Sequence, residues 1–413
     1  MRRILASIDI GTNSVKLVVA EILKNKINVL CAISEESRGI KKGLVDNFED
    51  VVYSIKKTLK KAEELLGLKI KKVVASIPEY NLTFTKRKAI NTITNEDKIV
   101  TKNDISRLLK TCLYNKVNDN YELINILPIE YKLDDKIVKN PIGMTGEKIR
   151  LDSLIISAPK KNTYDIIKAI EKCDLEVIDI MLGSISDYAL FDNEFISNTN
   201  GIIINLGAGK TTISSFYKGI LINCDIIDEA GLSVDNDISF MYKTKLKDSK
   251  KLKERYALAS TKLANAKEIT KVVNKLGEKV VVNQYELTEY VEARLQEILK
   301  KAKNKINHLT KKEISYIIVT GGLTEIKDFN ILAENIFGKN VTFGNVNIIG
   351  VRDNKYSTSV GMIKSFNNKL NEKGKEFSIF NEEEIETLCS DDKRINVASD
   401  SILGKVFGYF FDN

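Results

Sequence analysis

Histidine occurs once in the 413 residues, at position 308, so neither a His-ligated metal centre nor a His-based acid–base relay is expected. The five cysteines, Cys31, Cys112, Cys173, Cys224 and Cys389, are odd in number, widely scattered and without metal-ligand spacing. That excludes a disulfide framework or a zinc ribbon and points to structural thiols in a reducing compartment. No run of 18 apolar residues exists, and the opening Met1–Gly11 is too short for the apolar core of a signal peptide. The expectation is a protein that does not cross a membrane. The formal charge of +8 is mostly lysine spread along helix faces, as at Lys56, Lys57, Lys60 and Lys61. These read as solvated faces rather than a groove for nucleic acid, so no nucleic-acid partner is expected. What remains is an ordinary soluble composition, 43% hydrophobic, long enough for two or more domains with real cores.

The most distinctive segment lies at the far end. Residues 399–413 are strongly apolar and follow a polar, acidic stretch running from about 369 to 398. At 100° per residue Ile402, Leu403, Val406, Phe407, Tyr409, Phe410 and Phe411 fall on one continuous arc, while Ser401, Gly404, Lys405, Gly408 and Asp412 fill the other side. The stretch before it has little apolar surface to fold on and is expected to be a disordered linker. An amphipathic helix on a tether suits a membrane surface or a partner's groove; a helix docked back on its own body is the plain alternative.

Along the rest of the chain the pattern is α/β. Strand, turn and strand are expected at Ile4–Ile10, Gly11-Thr12-Asn13 and Val15–Ile22, a third strand near Lys26–Ile33, a helix over 49–66 and a buried strand Lys72–Ile77. Residues 81–158 read as an inserted module, with strands near 82–93, 121–133 and 149–157 and a helix near 103–113. A helix (162–173) and a strand (175–180) resume the rhythm. The second half repeats the opening design with strands Gly201–Leu206, Thr212–Tyr217 and Leu221–Ile227. Helices are expected to dominate 233–273 and 286–308, and a strand Tyr316–Thr320 leads to a helix at 328–337.

Three glycine-bearing turns follow strands. Asp9-Ile10-Gly11-Thr12-Asn13-Ser14 offers small residues whose backbone N–H groups can approach a phosphate, an acid suited to a hydrated Mg²⁺, and Lys16 just beyond. Asn205-Leu206-Gly207-Ala208-Gly209-Lys210-Thr211 is a second turn of the same design. Gly321-Gly322-Leu323-Thr324 ends a strand so that backbone can pack against a flat base. Each alone is ordinary loop chemistry; their order and repeated context are what single them out.

These turns resemble the phosphate-1, phosphate-2 and adenosine motifs of the actin/Hsp70/sugar-kinase superfamily. Five further stretches make the chain similar to the FtsA family of bacterial cell-division proteins. They are the inserted module with Asn140-Pro141-Ile142-Gly143-Met144, the segment Asp225–Asp237 with Ala230-Gly231, Val319-Thr320-Gly321-Gly322, Tyr356-Ser357-Thr358-Ser359-Val360-Gly361, and the terminal helix. The resemblance covers 4–366 and 399–411. It implies an actin-like two-lobed α/β fold with an inserted 1C-type subdomain and a C-terminal amphipathic helix. Subdomain 1A would comprise 1–80, 159–197 and 356–368, the inserted 1C 81–158, 2A 198–228 and 308–355, and 2B 229–307. A linker at 369–398 and the membrane-targeting helix at 399–413 would follow.

By the same resemblance, ATP with Mg²⁺ would sit between the lobes. Asp9, Gly11, Thr12, Asn13 and Lys16 would face the phosphates from one side, with Asp9 reaching the metal through water. Asn205, Gly207, Ala208, Gly209 and Thr211 would face them from the other. Gly321, Gly322 and Leu323 would line the adenosine, and Lys253 and Glu254 the ribose, although those two also read as a solvated helix face. The implied protein polymerises and tethers an FtsZ-like tubulin homologue, through that partner's C-terminal peptide on 2B, to the cytoplasmic face of the membrane at the division site. Other division proteins would bind the inserted subdomain.

The sequence also departs from the family pattern. Asn205 stands where an aspartate is usual and Ala208 carries no acid, so ATP binding is expected with weak or absent hydrolysis. A superfamily kinase would need a carboxylate base and would have no use for the tail. An Hsp70-like chaperone would need a peptide-binding domain, and a pilus-type actin-like adaptor would lack the terminal helix. Fully burying the tail's seven large side chains is worth roughly 10–20 kcal/mol gross. Interfacial insertion is partial, and ordering each residue costs about 1–2 kcal/mol. Residues 391–413 carry Lys393, Arg394 and Lys405 against four aspartates, which adds little attraction to anionic lipid. One tail is a modest anchor, and many held in a polymer make a firm one.

Overall fold

The computed structural model describes residues 2–113 and 118–389. The tail residues Ile402 to Phe411 and the last part of the expected linker, residues 390–398, lie outside the described residues. The chain opens with β1 (Arg2–Ile10), β2 (Ser14–Leu23) and β3 (Lys26–Glu36), then a short hairpin of β4 (Ile40–Lys41) and β5 (Leu44–Val45). Helix α1 (Phe48–Leu66) starts at Asn47, whose side chain accepts the Asp50 amide, and ends at Gly67 in the left-handed region at φ 69°. Strand β6 (Lys72–Ile77) follows. Most residues of β1 and β6 are buried and none is exposed, as expected of strands covered on both faces.

The chain then leaves this lobe. Strand β7 (Thr83–Thr92), helix α2 (Lys102–Leu113), β8 (Tyr121–Leu133), β9 (Lys136–Val138) and β10 (Lys148–Pro159) form a four-stranded sheet in the order β7-β10-β8-β9. It has a small core of its own around Ile93, Leu108, Ile149 and Leu151. Helix α3 (Lys160–Glu171), strand β11 (Glu176–Leu182) and helices α4 (Gly183–Phe191) and α5 (Glu194–Asn198) return the chain to the first lobe, whose sheet runs β11-β6-β1-β2-β3.

The second lobe repeats that plan. Strands β12 (Asn200–Leu206), β13 (Thr211–Tyr217) and β14 (Ile220–Ile227) form an antiparallel meander. Helices α6 (Gly231–Tyr242) and α7 (Leu246–Tyr256) follow, then a hairpin of β15 (Ile269–Val273) and β16 (Lys279–Asn283), the 26-residue α8 (Gln284–Leu309), β17 (Tyr316–Thr320), α9 (Phe329–Phe337) and β18 (Val341–Phe343). The sheet order is β14-β13-β12-β17-β18, with β17 parallel to β12 as β6 is to β1. Helices do dominate 233–273, as expected, but its last residues, Ile269–Val273, form the first strand of the hairpin. Its strands alternate exposed with half-buried residues, a period of two rather than 3.6.

Helix α10 (Ser357–Lys373) crosses back to the first lobe and packs on α4. A Cβ on Gly361 would stand 2.0 Å from the Ser186 carbonyl oxygen, so the two helix backbones meet at a contact that only glycine allows. The linker expected from residue 369 also needs correction. Helix α10 runs through Lys373, the Ile379 amide donates to the Ile4 carbonyl, Phe380 is buried in the first-lobe core, and helix α11 (Glu382–Cys389) brings Ile385 and Leu388 against the same core. Sparse apolar residues suffice there because they land on a ready-made surface. Among the described residues no helix is long and apolar enough to cross a membrane.

Candidate functional site

The two lobes meet at a cleft of about 920 Å³, lined from both sides by strand ends and turns. In the first lobe Asp9 sits one residue before the end of β1. Its carboxylate accepts from Lys16 Nζ at 2.8 Å and from Ser76 Oγ on β6 at 2.7 Å. Burial alone would raise this carboxyl, but Lys16 and Ser76 together hold it below its ordinary 3.8. Gly11, Thr12, Asn13 and Lys16 line the cleft beside it. The turn closes on itself through the Gly11 amide and the Ser14 carbonyl.

In the second lobe Asn205 holds the same place in β12, with Gly207, Ala208 and Gly209 lining the cleft beyond it. A Cβ on Gly209 would lie 2.5 Å from Thr12 Oγ1, so the two turns face each other with no room for a side chain between them. Thr211 is a correction. It is fully buried, its hydroxyl donates to the Glu229 carbonyl, and its neighbour Thr212 lines the cleft instead. Side chains alternate along a strand, so only one of the two threonines can face the opening.

At the third turn Gly321, Gly322 and Leu323 line the cleft. Gly321 has φ +98° and a Cβ there would sit 2.5 Å from the Leu206 carbonyl oxygen, which binds β17's end tightly to β12's. Lys253 is not on a solvated face: it is 6% exposed, pairs with Asp235 at 2.7 Å and donates to the Gly231 carbonyl. Burial raises the Asp235 carboxyl against the pull of Lys253. Glu254 lines the same end but stays half-exposed beside Lys250.

Several lining residues escaped the sequence reading. Asp187 on α4 is 1% exposed and accepts from Asn205 Nδ2 at 2.6 Å and from Thr358 Oγ1 on α10 at 3.0 Å. Burial pushes its carboxyl up to about 7, and nearby Glu79 adds to the shift. Glu79 accepts the Ser184 amide at 2.8 Å in the first turn of α4, a favourable place for a carboxylate. An acid within the apolar stretch Met181–Phe191 was the available signal for Asp187; its partners are 18 and 171 residues away. At the cleft edge Lys42 and the Tyr80 hydroxyl of the first lobe both reach Asp228 of the second, at 2.8 and 2.7 Å.

The residues present fit a nucleoside triphosphate. The volume is in the range of small-molecule sites, and small residues bring backbone close on both sides where phosphates would lie. Among the described residues no group of three or more His, Cys, Asp or Glu could hold a metal by itself. Mg²⁺ suits this, since it keeps several waters and binds through one or two carboxylates plus phosphate oxygens.

Twin sheets of one design around a cleft, with a module inserted in the first lobe, define an actin-like protein. Solved structures agree on the fold. The type IV pilus PilM of a PilM–PilN complex superposes with TM-score 0.59 at 11% identity, covering 87% of this chain and 97% of that one. An MreB5 of Spiroplasma citri bound to ADP gives TM-score 0.52 at 12% identity, covering 90% and 98%. Family models then narrow the class: the cell division protein FtsA model matches residues 202–361 and the SHS2 domain inserted in FtsA matches 81–157. Cell division protein FtsA of Enterococcus hirae is 29% identical over 361 residues, 86% of this chain and 81% of that protein. FtsA of Bacillus subtilis is 25% identical over 361 residues, 87% and 82%. The chain belongs to the FtsA family of cell division proteins.

Proposed function

We propose that this protein binds ATP with Mg²⁺ in the interlobe cleft, polymerises, and tethers an FtsZ-like division filament to the inner face of the cell membrane through its C-terminal helix. The observation that carries the reading is the pair of glycine turns from opposite lobes meeting at Thr12 and Gly209. A ligand seated there touches both lobes at once, so its binding energy bears on their relative position. Asp9 with Lys16 and the amides near Gly11 would hold phosphate oxygens and the hydrated metal. The turn after β12 would hold them from the other side, while Gly321, Gly322 and Leu323 would take the base, and Glu254 and the Lys253 region the ribose. ATP supplies a transferable terminal phosphoryl group when bound; this chain's residues would position it.

The tail reading supports attachment by many copies. A single amphipathic segment with a net acidic flank is a modest anchor, and a polymer multiplies it. The test is vesicle co-sedimentation of the full chain and of a version ending at Ala398, each with and without Mg-ATP. Tail-dependent pelleting that ATP enhances is expected. If both versions stay in the supernatant, membrane tethering is wrong. If the full-length chain already binds vesicles tightly at nanomolar concentration without ATP, the polymer is not what makes attachment firm.

A further inference from the structure

The carboxylates around the cleft floor differ in what neutralises them. Asp9 has Lys16, Asp235 has Lys253, and Glu79 receives the first-turn amide of α4. Asp187 is buried as deeply as any of them, yet the side chains that hydrogen-bond it among the described residues are the neutral Asn205, Thr358 and Ser357. A buried carboxylate held only by neutral donors is costly to maintain. This one joins three elements: α4, which carries it, β12 at the head of the second-lobe turn, and α10 of the first lobe. Asn205 also contacts Thr358 at 3.3 Å, so the three side chains form a closed triangle at the junction of the lobes, and all three line the cleft.

The triangle fixes the amide. With Nδ2 of Asn205 committed to Asp187, the orientation of the Asn205 side chain is set by a buried carboxyl acceptor instead of being free to flip. Hydrolysis of a phosphoric anhydride demands such a fixed group, because the barrier falls mainly through positioning of the attacking water and electrostatic stabilisation. Resting on the ATP-binding reading, we propose that Asp187 is a positioning residue for slow ATP hydrolysis: its carboxylate orients Asn205 toward the water that attacks the terminal phosphoryl group. The water oxygen forms the new bond to phosphorus, and the bridging P–O bond breaks with its electron pair leaving on ADP. One water proton stays on inorganic phosphate and the other passes to solvent. Asn205, judged by itself, lacks the charge for this work; the pair supplies it once Asp187 is ionised.

The test compares the full chain with Asp187→Asn and with the exchanged pair Asp187→Asn/Asn205→Asp. Binding of Mg²⁺ with a fluorescent N-methylanthraniloyl ATP is measured separately from single- and multiple-turnover release of phosphate. Asp187→Asn is expected to bind the analogue within about twofold of wild type and to lose about tenfold or more in kcat, in line with the loss of a group acting mainly in the transition state. The exchanged pair, which keeps the volume and one N–H···O bond, is expected to recover at least half of that loss on a logarithmic scale. It also stands as the folded control if the single variant does not fold. Unchanged kcat in Asp187→Asn, a folded exchanged pair that stays inactive, or a wild type that binds the analogue but releases no phosphate would each overturn the proposal. A wild type that fails to bind the analogue would instead overturn the ATP-binding reading.

Discussion

Two turns of one design, after β1 and after β12, solve the same problem differently. Both follow a central strand that is antiparallel to the next strand and parallel to a later one. In the first, the acid is on the strand itself, and its cation, Lys16, is the residue directly opposite in the hairpin register. In the second, the strand carries the neutral Asn205, the opposite residue is Thr212, and the acid comes from α4 and has no ion pair among the described residues. The first turn takes its cation from its own hairpin and adds one hydroxyl, Ser76, from β6; the second is assembled from three elements. The lesson is that a local motif reports its own chemistry only when its partners are local too.

The two acids also titrate in opposite senses. Asp9 is held below 3.8, so its contribution to stability is present above that value and is lost as pH falls through the lowered folded value. Asp187 is raised from 3.8 to about 7, so the folded state binds more protons than the unfolded one between those values. Its contribution is present below about pH 4 and is lost as pH rises to 7.

The largest way to break the contrast is Gly361→Ala. Forcing a methyl against the Ser186 carbonyl should part α10 from α4, cost about 3 kcal/mol at the upper end for overpacking, and pull Thr358 from Asp187 while leaving the first turn intact. Urea denaturation measures the cost. Next is Lys16→Met, which leaves Asp9 without its cation; the pair is partly open to solvent, so about 2 kcal/mol is expected by denaturation, together with weaker Mg-ATP binding. Third, the melting temperature of Asp187→Asn relative to wild type should rise by a few degrees between pH 5 and pH 8, because only wild type must ionise a buried carboxyl over that range. An offset independent of pH would show that Asp187 does not titrate there. The smallest effect belongs to Asp228→Ala at the exposed cleft edge. Under about 1 kcal/mol of stability is expected, with faster nucleotide release if the contacts from Lys42 and Tyr80 hold the lobes together. Stopped-flow displacement of the fluorescent nucleotide reads it.

Much of the fold was legible because periodicity is local. The strand–turn–strand openings, the inserted module and the long helix ending near His308 all came from apolar spacing and turn residues. Asp9, Gly11, Gly209 and Gly321 were legible because glycines beside strand ends announce close backbone approach. Thr211 was misplaced because a strand's phase is set by pairing, and a shift of one residue exchanges its faces. The hairpin of β15 and β16 was hidden in a lysine-rich stretch whose alternation is weak, and Phe377 to Leu388 read as linker because their apolar residues are few. A solvated face stayed open as the alternative for Lys253 because its partner Asp235 lies on another helix.

By itself, then, the sequence determined the elements, the repeated two-lobe plan and the glycine turns, since these depend on residues within reach of one another along the chain. Only the tertiary structure decided which threonine faces the cleft, where the ordered chain meets the first-lobe core after Lys373, and that Asn205 has a carboxylate beside it. Residue 358 lies 171 positions from residue 187, and its hydrogen bond to Asp187 exists only because α10 folds back onto α4 at Gly361.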